Sequence, residues 1–335
     1  MSINTPVFTN VDYHKDGKQF GQLSAPISTN SAGWANYFVP ICVIKNGEGP
    51  TALISGGNHG DEYEGPVTLM NLARWVEPEM IRGRLILIPM LNKPAVQAGT
   101  RLSPIDGSNM NRAFTGKPSD SLTGMIAYYM SQVLVPLADL VIDIHSGGRS
   151  MHFLPSVNMH SLENKPQMQA MLDTAAAWGA PYRFIYRDVA GSGLLPSYCE
   201  ALGKVTLGTE LGSASQFSVT TLKIASEGLR NALRFAKILV DQPIVAPTAE
   251  SKVVAAEEVE DYVMTPVSGI YEPFCELGDR IEAGQLLGQV HLIEQPFIAP
   301  IPVYARTSGI LFVRRAFPLT TQGECVAVIV RPYSL

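Results

Sequence analysis

Short, mostly apolar runs alternate with stretches whose apolar positions recur every three or four residues through the first two thirds of this chain. Thr51–Ser55, Leu85–Ile88 and Leu140–His145 have the length of buried strands, whereas Glu64–Val76, Leu122–Leu134, Met168–Trp178 and Val219–Leu239 have helical spacing. That alternation predicts an α/β fold in which helices flank a β-sheet. In the first helix Val67, Leu69, Met70, Leu72, Ala73 and Val76 supply a broad apolar face. Glu77-Pro78 predicts its end, because proline restricts the residue before it and has no N–H to donate.

The two ends of the chain follow other patterns. Residues 1–48 predict a β-rich N-terminal extension of short strands and turns, with Tyr37–Ile44 leading to an Asn46-Gly47 turn. Residues 49–242 hold the α/β pattern and form the expected catalytic domain. Small, apolar and acidic residues mix over 243–260, the expected linker or boundary. Residues 261–335 predict a small β-rich domain of two half-units, since Val303–Leu311 is similar to Thr265–Ile270 and glycine turns punctuate both.

A chain of 335 residues can bury a sizeable core and form more than one domain. Lys plus Arg number 25 against 30 for Asp plus Glu, and no basic stripe is interleaved with aromatics, so nothing points to nucleic acid. No run reaches the roughly 18 apolar residues of a membrane span. The first residues lack a basic and apolar leader, so a cytoplasmic location is the expectation. Charged residues make up only 16 %, which suits a surface partly covered in a homo-oligomer. Cys42, Cys199, Cys275 and Cys325 are scattered without the close pairs of a zinc or redox motif, and read as reduced, buried thiols.

Chemistry concentrates in Gly56-Gly57-Asn58-His59-Gly60-Asp61-Glu62 and, much later, Asp143-Ile144-His145-Ser146. Each follows an apolar run, so a parallel sheet would deliver His59, Glu62 and His145 to neighbouring strand ends. Two imidazoles and a carboxylate suit a catalytic zinc, because they leave a fourth coordination position open. Cobalt or manganese would also accept these donors. Glu210, after the run Val205–Thr209, is then the candidate base. The plainer alternative makes His59 a turn residue, Glu62 a helix-start acid and His145 a core histidine. Glu210 would then be a strand-end surface acid.

Taken in order, these segments resemble the succinylglutamate desuccinylase/aspartoacylase family, within the zinc-carboxypeptidase-like group. The resemblance rests on Gly57–Glu62, on Asn92-Lys93-Pro94-Ala95 with Arg101, on Asn111-Arg112, on Asp143-Ile144-His145 and on Thr209-Glu210-Leu211-Gly212, spread over roughly residues 50–240. It implies one Zn2+ per subunit held by His59, Glu62 and His145, with Glu210 promoting attack by water and protonating the departing amine. It also implies that Arg101 stabilises the developing oxyanion and that Asn111 and Arg112 hold a substrate carboxylate, for which a guanidinium has the right planar geometry. Better-known members carry an acid where Asn109 falls, an acid that orients a zinc-binding histidine. Asn109 can bond the ring but brings no charge, so Asp106 or Asp143 is expected to supply the electrostatic support.

The stretch Arg101–Arg112 looks closer to the N-acetyl-diaminobutyrate deacetylase branch, associated with ectoine breakdown, than to aspartoacylase itself. The expected reaction is therefore deacetylation of N2-acetyl-L-2,4-diaminobutanoate, with N-acetylaspartate or N2-succinylglutamate as alternative substrates. Asp188, near the glycine-containing Gly191-Ser192-Gly193, is the candidate partner for a substrate ammonium group. The different-class alternative is a metal-binding or carrier module, since the last domain resembles a lipoyl-like barrel-sandwich fold. No lysine occurs between Tyr262 and Leu335, which excludes a lysine-linked carrier there. Tyr333 is expected to pack rather than to catalyse.

Overall fold

The computed structural model describes residues 4–187, 193–212, 218–244 and 251–334. At its centre lie four parallel strands in the order Gly83–Ile88, Thr51–Gly56, Leu140–Ile144 and Val205–Glu210. Thr51–Gly56 and Leu140–Ile144 are buried at every position, as strands covered on both faces must be. Helices Glu64–Trp75, Lys165–Trp178 and Val219–Phe235 cover one face, through Leu69, Leu72, Met168, Trp178 and Leu229. Leu122–Tyr129 and Leu195–Ala201 cover the other, through Ile126 and Leu195. The helix Leu122–Tyr129 stops five residues short of the expected end because Met130–Leu134 widens into a π-turn.

Beyond Val205–Glu210 the sheet reverses. Ser156–His160 pairs antiparallel with it, and Tyr182–Tyr186 and Lys252–Ala256 then follow parallel to Ser156–His160. The expected boundary at 243–260 thus contains a strand of the main sheet. Lys252–Ala256 pairs in turn with Cys325–Pro332 and so carries the backbone ladder on into the C-terminal region without a break. Its modest apolarity, Lys-Val-Val-Ala-Ala, is what made it read as a linker.

The N-terminal extension is more regular than expected. Gly17–Thr29 and Ala32–Asn46 form one long hairpin, which adds to the sheet through Ala32–Asn46 against Gly83–Ile88. In residues 261–335, Gly269–Pro273, Leu286–His291, Ile301–Tyr304 and Leu319–Thr320 make a separate four-stranded antiparallel sheet. It shares a small core, including Tyr271, Leu287, Val303 and Ile329, with the end of the main sheet. A short catalytic-domain strand, Met151–Phe153, pairs with Gly309–Arg315 and ties the two regions together a second time. Among the described residues no helix is long and apolar enough to cross a membrane.

Candidate metal centre and active site

His59 and Glu62 lie in the turn between the Thr51–Gly56 strand and the helix that starts at Glu64, while His145 follows the neighbouring Leu140–Ile144 strand. Gly60 permits this turn to pack closely: a Cβ there would sit 1.9 Å from the carbonyl carbon of Ala95. Thr209 pins His145 from the other side, its hydroxyl accepting from the His145 N–H at 3.1 Å and donating to the His145 carbonyl at 2.9 Å. One ligand atom from each of His59, Glu62 and His145 falls within 4.8 Å of the others, and all three side chains are buried.

The orientation of the rings fits a cation. Glu62 faces His59 Nδ1 with one oxygen and His145 Nδ1 with the other, both at 2.8 Å. The Nε2 atoms turn outward: that of His145 meets Asp143 Oδ2 at 2.7 Å and that of His59 meets Asn109 Oδ1 at 3.2 Å. Both outer partners accept, so the Nε2 atoms carry hydrogen and a neutral ring is left with a lone pair on Nδ1. Two such lone pairs would point at one carboxylate. A divalent cation among the three groups relieves both repulsions at once.

Electrostatics act on the two rings in opposite directions. Burial lowers the pKa of His59, which favours the neutral ring that a metal requires. Burial also works against charge on His145, but Asp143 and Glu62 beside it hold its pKa well above the usual imidazole value. Glu62 is kept ionised against its own burial by the two imidazoles. Asp143 is fixed by Ser55 Oγ at 2.7 Å and Asn58 Nδ2 at 2.8 Å, and its pKa is lowered despite burial by His145 and these bonds.

Glu210 ends its strand at the edge of the same site. Burial first, and then the charge of Glu62, raise its pKa well above the ordinary carboxylate range. Its Oε2 is buried without a hydrogen-bond partner, as a group waiting for a proton or a ligand would be. Arg101 reaches in from the rim, with Nη1 at 3.2 Å from His59 Nδ1 and 3.6 Å from Glu62 Oε1. Asn109 also caps the short turn Met110–Arg112, because its Oδ1 accepts from the Asn111 N–H at 2.9 Å. The same oxygen therefore orients His59 and places Asn111 and Arg112.

Of the two acids expected to support the histidines, the structure places only Asp143 there. Asp106 instead binds Thr123 N at 2.8 Å, Thr123 Oγ1 at 3.0 Å and Ser108 N at 3.1 Å, which fixes the start of the next helix. The loop acid Asp188 and the neighbouring Gly191 and Ser192 lie outside the described residues. Tyr333 packs against the main core, as expected of it.

A cavity of about 380 Å3 opens from the metal centre, and His59, His145, Glu210, Arg101, Asn111 and Arg112 line it. Its far wall was not foreseen. Phe184 and Tyr186 come from the sheet, Arg187 follows their strand, and Tyr262, Met264 and Cys325 come from the C-terminal region. Asn158 also lines it and was missed, although Ser156, Asn158 and His160 alternate with Val157 and Met159 in the pattern of a strand with one polar face.

A mixed α/β sheet that delivers two imidazoles and two carboxylates to one pocket defines a hydrolase arranged around a cation site. Residues 48–236 match the family model described as the succinylglutamate desuccinylase/aspartoacylase catalytic domain. The chain is 37 % identical to the N-alpha-acetyl-L-2,4-diaminobutyric acid deacetylase of Halomonas elongata over 97 % of this chain and 95 % of that protein. The product-bound structure of the ectoine utilization protein EutE (DoeB) from Ruegeria pomeroyi superposes with a TM-score of 0.94 at 37 % identity, covering 98 % of this chain and 99 % of that one. The succinylglutamate desuccinylase/aspartoacylase structure from Rhodobacter sphaeroides gives 0.93 at 35 % identity, covering 98 % and 100 %. The chain belongs to the succinylglutamate desuccinylase/aspartoacylase family.

Proposed function

We propose that this protein is a cytoplasmic zinc-dependent deacetylase of small N-acyl amino acids, with N2-acetyl-L-2,4-diaminobutanoate as its substrate in ectoine degradation. The observation that carries the proposal is the convergence of His59, Glu62 and His145 beside Glu210, whose Oε2 has no other partner. The similarity to the Halomonas elongata deacetylase over nearly the whole chain supports the choice of substrate.

His59 Nδ1, Glu62 and His145 Nδ1 would hold the zinc, and Asp143 and Asn109 would keep the rings turned toward it. Zinc, when bound, supplies Lewis acidity toward the amide carbonyl and toward water. Glu210 takes the proton from the attacking water and returns it to the amide nitrogen as the C–N bond breaks, a task that suits a carboxylate of raised pKa. Arg101 faces the oxygen on which charge develops, and Asn111 and Arg112 hold the α-carboxylate. We read residues 261–335 as a barrel-sandwich-like domain that walls the pocket, a reading supported by its separate four-stranded sheet and by the presence of Tyr262, Met264 and Cys325 in the lining.

Arg187 favours a second reading, because a third guanidinium beside Arg101 and Arg112 suits a substrate with a second carboxylate, N-acetylaspartate or N2-succinylglutamate. The test is release of acetate or succinate from all three substrates at equal free zinc. The diaminobutanoate substrate should give the highest kcat/KM. A preference of several orders of magnitude for N-acetylaspartate would overturn the substrate assignment.

A further inference from the structure

Asn158 is 8 % exposed and lines the cavity, yet its side-chain amide makes no hydrogen bond among the described residues. The amide is not among the fully buried polar groups left without a partner, so it is open to the cavity and bonds to whatever fills it. The chain also keeps room for it. Gly208 faces Asn158 in register, and a Cβ at residue 208 would fall 2.1 Å from Asn158 Oδ1.

The register places this amide relative to the chemistry. Gly208 pairs with Asn158, and Glu210 with Ser156, so Asn158 and Glu210 share one face of the sheet. They are two residues apart along it, about 6.6 Å. On the next strand Phe184 is in register with Asn158, and Tyr186 follows on the same face. Their rings stack with centroids 5.6 Å apart, and both line the cavity.

We infer that Asn158 reads the group at the end of the substrate's amino-acid side chain, and that this group is an ammonium. The inference rests on the proposed amidase reading. With Glu210 serving the amide nitrogen, a side chain projecting inward along the sheet face meets Asn158. In a diaminobutanoate the terminal amine lies four bonds from that nitrogen, about 5 Å when extended, and a hydrogen bond adds about 3 Å. The Asn158 carbonyl accepts from an ammonium, and the Phe184 and Tyr186 rings that line the same wall pack against the methylenes leading to it. Glu210 is the only acid in the described lining, and Arg187 shares the wall, so among the described residues recognition of the amine falls to the Asn158 amide.

The experiment compares kcat/KM for N2-acetyl-L-2,4-diaminobutanoate, N-acetyl-L-2-aminobutanoate, which lacks the amine, and N-acetyl-L-aspartate, in the full-length zinc-loaded protein and in N158L and N158D. N158L should lose roughly ten- to hundredfold on the first substrate, mainly through KM, and change the second by less than about threefold. N158D should retain the first substrate and discriminate further against N-acetyl-L-aspartate. Equal losses on the first two substrates in N158L, or no loss on the first, overturn the inference. So does a loss of the diaminobutanoate substrate in N158D when its melting temperature and zinc content match wild type. A wild-type protein that hydrolyses none of the substrates refutes the proposed function instead, which keeps the two failures apart.

Discussion

Replacing Asp143 by asparagine removes one charge from beneath the metal centre and little else. Asp143 receives three donors: Ser55 Oγ on Oδ1, and Asn58 Nδ2 and His145 Nε2 on Oδ2. An asparagine whose oxygen takes the Oδ2 position keeps the Asn58 and His145 bonds, and its NH2 then faces Ser55, whose hydroxyl can rotate to accept. The packing and all three contacts survive, but the charge that favours a protonated His145 is gone, so metal-free D143N should melt somewhat below wild type and still fold. What it loses is the negative charge that makes His145 a stronger donor to the metal. Zinc affinity should fall about 10- to 100-fold, or about 1.4–2.7 kcal/mol. Competition with a chromophoric chelator at fixed pH measures this directly, without reference to turnover. D143A is the contrasting variant, because it strands three buried donors and should destabilise the fold by several kcal/mol. If D143N binds zinc as tightly as wild type, Asp143 has no electrostatic role and only holds the ring in place.

Glu210→Gln should lower kcat by about 10^2- to 10^4-fold while zinc content is retained, as read by single-turnover assay and metal analysis. The same variant tests a pH dependence. The pKa of Glu210 is raised in the folded chain, so its contribution to stability is fully present below the ordinary carboxylate value of about 4.3 and is lost as pH rises through the folded value. Glu64, raised to about 7 chiefly by burial, adds a loss of the same sign between its ordinary value and about 7. Melting temperatures of the chelator-treated wild type should therefore fall across this range more steeply than those of E210Q. Gly60→Ala drives a methyl group into the Ala95 backbone and should abolish zinc binding or folding, whereas Ala95→Gly, beside the same contact, should cost only about 1 kcal/mol in a melt. Removing the metal should lower the wild-type melting temperature and leave H59A unchanged, since only a binding-competent site gains stability from the ligand.

The chemistry was legible because each ligand sits just beyond an apolar run, at the C-terminal end of a parallel strand. His59 and His145 emerge from adjacent parallel strands, and a local pattern locates such ends well. Distant pairings were less visible. Asp106 and Asn109 stand three residues apart in one loop, and only the path of that loop decides which one reaches His59 and which one reaches Thr123. Lys252–Ala256 is short and weakly apolar, and it is a strand because Tyr182–Tyr186 and Cys325–Pro332 offer it two partners. Asn158 lies in a run too brief for its alternation to stand out, and its importance appears only when Gly208 is placed opposite.

The strand Lys252–Ala256 also bears on how this enzyme could be dissected. A protein cut near residue 242 would retain every ligand to the proposed zinc, yet it would bare the Tyr182–Tyr186 edge as an adhesive border open to other polypeptides. It would also lose the roof that Tyr262, Met264 and Cys325 place over the pocket. Minimal versions of the enzyme, and chimeras with its relatives, should therefore carry the last eighty-odd residues along with the catalytic core.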